Sequence, residues 1–220
     1  DQGNFLFFAN GRSLYGPTGA TLYTGLMTGN EGGNTTGSAA QGIVCVRHPL
    51  NPDQYYFITT DDALTGATYG LNYAIINKTG AVDQVSTRIG SFRTTEAIAA
   101  TWHANEVDIW ITVTEAGSTN IRSYLLRCDG FETDPSISPA ISTTGVATVS
   151  SDNERGGITF SHDSQQFAAG LGGTGGADKV RLYDFDNATG LMTYVRGIGS
   201  VFGTYAPYDL EFSPDNSRVL

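Results

Sequence analysis

The chain has 220 residues, is 40% hydrophobic and carries 11 tyrosines and 11 phenylalanines. That is too aromatic for a disordered chain and long enough for one domain with a sizeable core. A net charge of −10, with Lys78 and Lys179 as the only lysines, argues against a nucleic-acid partner, and no run approaches the ~18–20 apolar residues of a membrane-spanning helix.

Taken in chain order, the sequence reads as strands and turns throughout. Residues 1–24 supply the last three strands of a four-stranded unit, with Thr18-Gly19 in a hairpin turn. Residues 43–95 open on Ile43–His48, continue with Tyr55–Thr60 and turn at Asn77-Lys78-Thr79-Gly80. Residues 97–147 open on Ile98–His103 and continue with Asp108–Thr114. There Ile109, Ile111 and Val113 share one face, and Trp110, Thr112 and Thr114 the other. Tyr124 and Leu126 likewise oppose Ser123 and Leu125, before a turn at Asp129-Gly130. The Ala-rich Glu96–Thr101 stretch is the nearest thing to a helix, and Ile98–Trp102 reads better as a strand. Residues 156–200 open on Ile158–His162, continue with Gln166–Leu171 and Val180–Tyr183, and turn at Asp186–Gly190. Residues 207–220 supply a first strand, Leu210–Pro214, and part of a second, Arg218–Leu220.

The Thr-Gly turn and the apolar strand ending in a polar turn both recur at intervals of roughly 50–60 residues, nearest the ~50 of kelch-type repeats. Four antiparallel strands per repeat make the blade of a β-propeller. The expected fold is therefore all-β: a propeller of four-stranded antiparallel blades, present as a partial ring of three whole blades (43–95, 97–147, 156–200) and two partial ones (1–24, 207–220). Two arrangements fit. The ring continues in sequence outside these residues, or the two partial blades join to close four blades. The first is favoured, because both Phe5–Ala9 and Arg218–Leu220 claim the place of a second strand.

Catalytic signatures are weak. Gly170-Leu171-Gly172-Gly173-Thr174-Gly175 fits G-x-G-x-x-G, but a strand follows where a dinucleotide site needs a helix. His48, His103 and His162 occupy turns of successive repeats, too far apart for one zinc ion. Asp184 and Asp186 are spaced as a glycosidase pair might be, yet Asp186 has a turn to cap. Asp61-Asp62 before Gly66 is a weak calcium candidate lacking the alternating ligands of an EF loop. No cofactor or metal is expected. Asn34, Asn77 and Asn187 head N-x-T triplets, two of which coincide with turns. Cys45 and Cys128 are expected to be free, buried thiols behaving as small hydrophobes.

A resemblance adds to this. Asp1-Gln2-Gly3-Asn4-Phe5-Leu6-Phe7-Phe8-Ala9-Asn10-Gly11 with Leu14-Tyr15 resembles the "D-x-x-G-N-L-L-F-Y-T-D-G-x-x-V-Y" run of N-terminal propellers in large Bacteroidota surface proteins, among them gliding-motility adhesins exported by type IX secretion. Gly25–Asn30, Ser38–Gln41, Gln54–Asp61 and Gly70–Ile76 follow in the same order, and Phe212-Ser213-Pro214-Asp215-Asn216-Ser217 is similar to the widespread "F-S-P-D-G-S" turn. Ala9-Asn10 departs from the usual Thr-Asp, and the repeat around Trp102 matches loosely.

The resemblance implies a non-enzymatic module of an extracellular, cell-surface adhesin that binds a protein or carbohydrate partner. The alternative is a propeller enzyme such as a lactonase-like hydrolase. An enzyme would converge ionisable groups on the first strands, where only Glu211 is ionisable. The longer loops fall on one face of the ring and are where binding is expected. Asp61, Asp62, Tyr69, Asp152, Asn153, Glu154 and Arg155 are the candidate contacts, with Asn105 and Asn187 on the opposite, short-turn face.

Overall fold

The computed structural model describes residues 6–10, 12–26, 39, 41–60, 70–90, 92–143, 156–170, 178–199 and 207–220. They hold sixteen strands and no α-helix. The first sheet is β1 (Phe8–Ala9), β2 (Ser13–Tyr15) and β3 (Thr21–Thr24). The second runs β4 (Ile43–Arg47), β5 (Gln54–Thr59), β6 (Asn72–Asn77) and β7 (Val82–Arg88). The third holds β8 (Thr94–Trp102), β9 (Ile109–Glu115) and β10 (Asn120–Arg127), with β11 (Gly130–Phe131) and β12 (Ala140–Thr143) sharing the outer edge of β10. The fourth is β13 (Ile158–Phe160), β14 (Gln166–Gly170), β15 (Val180–Asp186) and β16 (Leu191–Ile198). A Phe212–Val219 bridge follows. All strand pairs within the sheets are antiparallel, so the sheets are propeller blades, and the described residues do not close them into a ring.

The alternation read from the sequence is the one that packs the blades. Each blade buries one face against the blade before it and the other against the blade after it. Leu14 of the first meets Phe57, Ala74 and Ile76 of the second. Tyr56 and Ile58 on the second blade's other face meet Ile109, Ile111, Val113, Tyr124 and Leu126 of the third. Trp110, Ile121 and Leu125 then meet Phe167, Tyr183 and Phe185 of the fourth. Ala168 and Val180 close on Leu210 and Phe212. Fully burying one such side chain is worth ~1.5–3 kcal/mol, so these four interfaces, rather than the exposed outer strands, hold the arc together.

Two details depart from the sequence reading. β8 begins at Thr94, earlier than Ile98, and its register with β9 is irregular between those residues. The last strand of the third blade is split: Glu132–Pro139 leaves the sheet between β11 and β12, through a cis Ser138–Pro139 bond. The Ser138 hydroxyl fills the gap by accepting the Leu125 N–H at 3.0 Å.

The turns repeat as atoms as well as letters. Gly19, Gly80 and Gly190 sit at φ of 82°, 89° and 75°, the left-handed region that closes the Thr-Gly hairpins. The turn after each first strand has a shared cap. The N–H groups of His48, His103, Ser161 and Ser213 each donate across the turn at 2.9 Å, to Gln54, Asp108, Gln166 and Arg218 carbonyls. Their side chains accept turn amides in return, through Nδ1 in the two histidines and Oγ in the two serines. His162 is therefore not the equivalent of His48 and His103; Ser161 is. A neutral imidazole Nδ1 and a hydroxyl oxygen do the same job, which hides the match from a search for like letters.

A candidate binding site at the inner cavity and its mouth

The first strands of the whole blades lie side by side, with β8 in contact with both β4 and β13. Gln41, just before β4, locks them. Its backbone makes a parallel bridge to Ala97, donating to the Glu96 carbonyl at 3.3 Å and accepting from Ile98 N–H at 3.2 Å. Its side-chain amide accepts the Ile158 N–H at 2.9 Å and donates to the Ile158 carbonyl at 3.0 Å. One residue thus ties three consecutive blades at their inner ends.

These strands line a cavity of about 380 Å³. Its walls are aliphatic and hydroxylic, including Ile43, Val44, Ile98, Ala100, Thr101 and Thr159. Thr101 and Ser164 hydroxyls bond at 2.6 Å across the interface between the third and fourth blades. The described lining holds no carboxylate, lysine or arginine; His162 is the only side chain with an ionisable ring. Glu96 is a buried ionisable residue on a first strand that the sequence reading did not place there, because it began that strand at Ile98.

At the end of β8 the cavity meets a polar groove of about 340 Å³, lined by Trp102, His103, Ala104, Glu106, His162, Asp163, Ser164 and Asn187. It lies on the short-turn face. Trp102 lines both spaces and is 55% exposed. The turns around it are fixed. The Asn187 carbonyl accepts from Ala104 N–H at 3.0 Å and from the Trp110 indole N–H at 2.8 Å. His103 Nε2 lies 3.2 Å from the Ala188 carbonyl, and His162 Nε2 lies 3.3 Å from that of Phe212. The Asp163 carboxylate is held below the usual range, first by the Ser161 hydroxyl, which donates to it at 2.6 Å, so it stays ionised. The side chains of Trp102, Glu106 and Asn187, and Nδ1 of His162, make no hydrogen bond to described residues and remain available to a ligand.

A third space, of about 780 Å³, lies farther out between β14, β15 and β16 and includes Asp163, Asp184, Asp186 and Asn216. Asp186 caps its turn, accepting from Thr189 Oγ1 at 2.9 Å and Ala188 N–H at 3.0 Å. The Thr189 hydroxyl foremost pulls its carboxyl below the usual range, the reverse of what a general acid requires. Among the described residues no three His, Cys, Asp or Glu side chains are placed to hold a metal ion.

The candidate contacts Asp61, Asp62, Tyr69, Asp152, Asn153, Glu154 and Arg155 lie outside the described residues, as do Gly66 and Gly172–Gly175. The strand expected after the glycine run is β15. Both cysteines are free, as expected, but neither is buried. Cys45 faces away from the Val44 and Val46 side of β4 that packs on the third blade, and Cys128 has passed into the turn beyond β10. Cys45 keeps accessible surface, yet crowding by neighbouring atoms pushes its thiol up to about 12. Accessible surface decides whether a reagent reaches it; the raised pKa slows the reaction. Sequence reasoning missed Trp102 and Gln41. The available signal was an aromatic residue at a strand's last position before a polar turn, and an amide just ahead of a first strand.

No protein-family model matches the chain, and no curated protein matches it. Solved structures do match. A 6-phosphogluconolactonase-like protein from Bacteroides uniformis aligns over 97% of this chain and 61% of its own, at 10% identity and a TM-score of 0.56. A GH43 β-1,3-galactosidase aligns over 93% of this chain and 45% of its own, at 14% identity and a TM-score of 0.49. Hydrazine synthase of Kuenenia stuttgartiensis covers 86% and 44%, at 14% identity and a TM-score of 0.45. The chain thus spans about two fifths to three fifths of the length of these structures. At such identity the first of them speaks for fold alone, and the fold it supports is the β-propeller that the blades display.

Proposed function

We propose that the chain is a non-enzymatic binding module of a secreted cell-surface adhesin, of the group that includes gliding-motility proteins exported by type IX secretion. The observation that carries this reading is the inner wall. The first strands, where a propeller enzyme gathers its acids and bases, present Ile, Val, Ala and Thr side chains to the cavity. The ordered resemblance from Asp1 to Ile76 supplies the surface-protein context.

The second reading is a lactonase-like hydrolase, favoured by the alignment with the 6-phosphogluconolactonase-like structure. A phosphorylated substrate calls for arginine or lysine at its phosphate, and neither is among the described residues lining the inner cavity or the groove. The test of the first reading is antibody labelling of intact against permeabilised cells of the source organism, paired with an adhesion assay in which purified chain competes. Labelling of intact cells and loss of adhesion are expected. Signal only after permeabilisation overturns the reading.

A further inference from the structure

We propose that the groove at Trp102 is a subsite for a neutral saccharide unit, with the indole as the platform for a sugar ring. The inference rests on the binding-module reading and names the class of its ligand. An amphipathic ring left more than half exposed costs apolar contact with water unless something covers it, and aromatic side chains with one wet edge are enriched where partners dock. The cavity of about 340 Å³ falls within the ~300–1,000 Å³ of small-molecule sites.

Around the indole stands a mixed set of hydrogen-bonding groups. The Asn187 amide both donates and accepts, the Trp102 N–H donates, Glu106 accepts, and His162 Nδ1 accepts in the tautomer whose Nε2–H donates to the Phe212 carbonyl. A polyol, whose every hydroxyl both donates and accepts, matches such a set. An ion would want groups of one sign. Anionic ligands meet Glu106 and an ionised Asp163, with no lysine or arginine in the described lining. A quaternary ammonium would want several aromatic faces, whereas Trp102 is the only Trp, Tyr or Phe among the described residues of the groove. The site is preorganised, because the turns bearing Ala104 and Asn187 are already bonded to one another.

The chain has two tryptophans, and Trp110 is 1% exposed, so acrylamide quenching reports on Trp102. The experiment titrates the chain with cellobiose, lactose, xylobiose and chitobiose, beside glucose 6-phosphate and tetramethylammonium chloride. Binding is followed in parallel by calorimetry on the wild type, Trp102→Ala, Trp102→Phe and Asn187→Ala, with thermal midpoints to check folding. At least one neutral saccharide is expected to shield Trp102 and shift its emission to the blue. Trp102→Ala is expected to weaken that binding about tenfold or more, with Trp102→Phe retaining most of it. Shielding by tetramethylammonium or glucose 6-phosphate in place of the neutral sugars overturns the inference, as does the absence of any shielding. Saccharide binding that survives Trp102→Ala and Asn187→Ala moves the site elsewhere and leaves the module reading standing. Hydrolysis of the saccharide removes the module reading itself.

Discussion

Gly190 shows how tightly single residues are held. At φ 75° it occupies a conformation that side chains rarely adopt, and a Cβ there would lie 2.8 Å from the Trp110 ring and 3.0 Å from Ala140. Gly190→Ala is expected to cost roughly 1–3 kcal/mol, read as a lower midpoint in thermal or urea unfolding. The turn carboxylates set the acid limit. Asp215 is pulled down to about 2, chiefly by the Ser213 hydroxyl and then by that of Ser217, and Asp163 and Asp186 are lowered by their own turn hydroxyls. A carboxyl lowered on folding stabilises above its unfolded value near 3.8 and loses that contribution as pH falls through its folded value. The thermal midpoint should therefore drop between about pH 4 and about pH 2, and by less in a variant combining Asp163→Asn with Asp215→Asn. Thiol titration of the unfolded, unreduced chain should find both cysteines free, and in the native chain Cys45 should react slowly near neutral pH for want of thiolate.

Among the described residues Gln41 bonds the second blade to both the third and the fourth at their inner ends. Gln41→Ala leaves the Ile158 N–H and carbonyl without these partners, a change worth about 1–3 kcal/mol. Gln41→Glu keeps an acceptor for the N–H but sets a carboxylate against the carbonyl, so it should be at least as damaging. Unfolding midpoints of both variants against wild type check this. Much at this scale was legible in the letters. The alternation of Ile109, Ile111 and Val113 against Trp110 is the division between two interblade cores. The recurring Thr-Gly turns mark the glycines that take the left-handed backbone. What was not legible came from groups that substitute for one another. Ser161 and His103 fill one cap with different chemistry, and Gln41 extends a strand ladder with a side chain. The interruption at Glu132–Pro139 parts β11 from β12 on the same edge of β10, inside a blade that was read only as residues 97–147. Trp102 was passed over because its value lies in what the neighbouring blade brings beside it.

At the scale of the whole molecule, blades stacked face to face place short, hydrogen-bonded turns on one side of a common inner wall. What this scaffold presents at the wall is apolar and hydroxylic, and at the mouth amphipathic and weakly acidic. Such surfaces support the proposed role of holding a partner. The direct measurement is turnover: the purified chain incubated with 6-phosphogluconolactone, the substrate of the alternative reading, the product followed against the uncatalysed reaction. The proposed binding role predicts a rate indistinguishable from buffer. Saturable turnover proportional to the concentration of chain would contradict it.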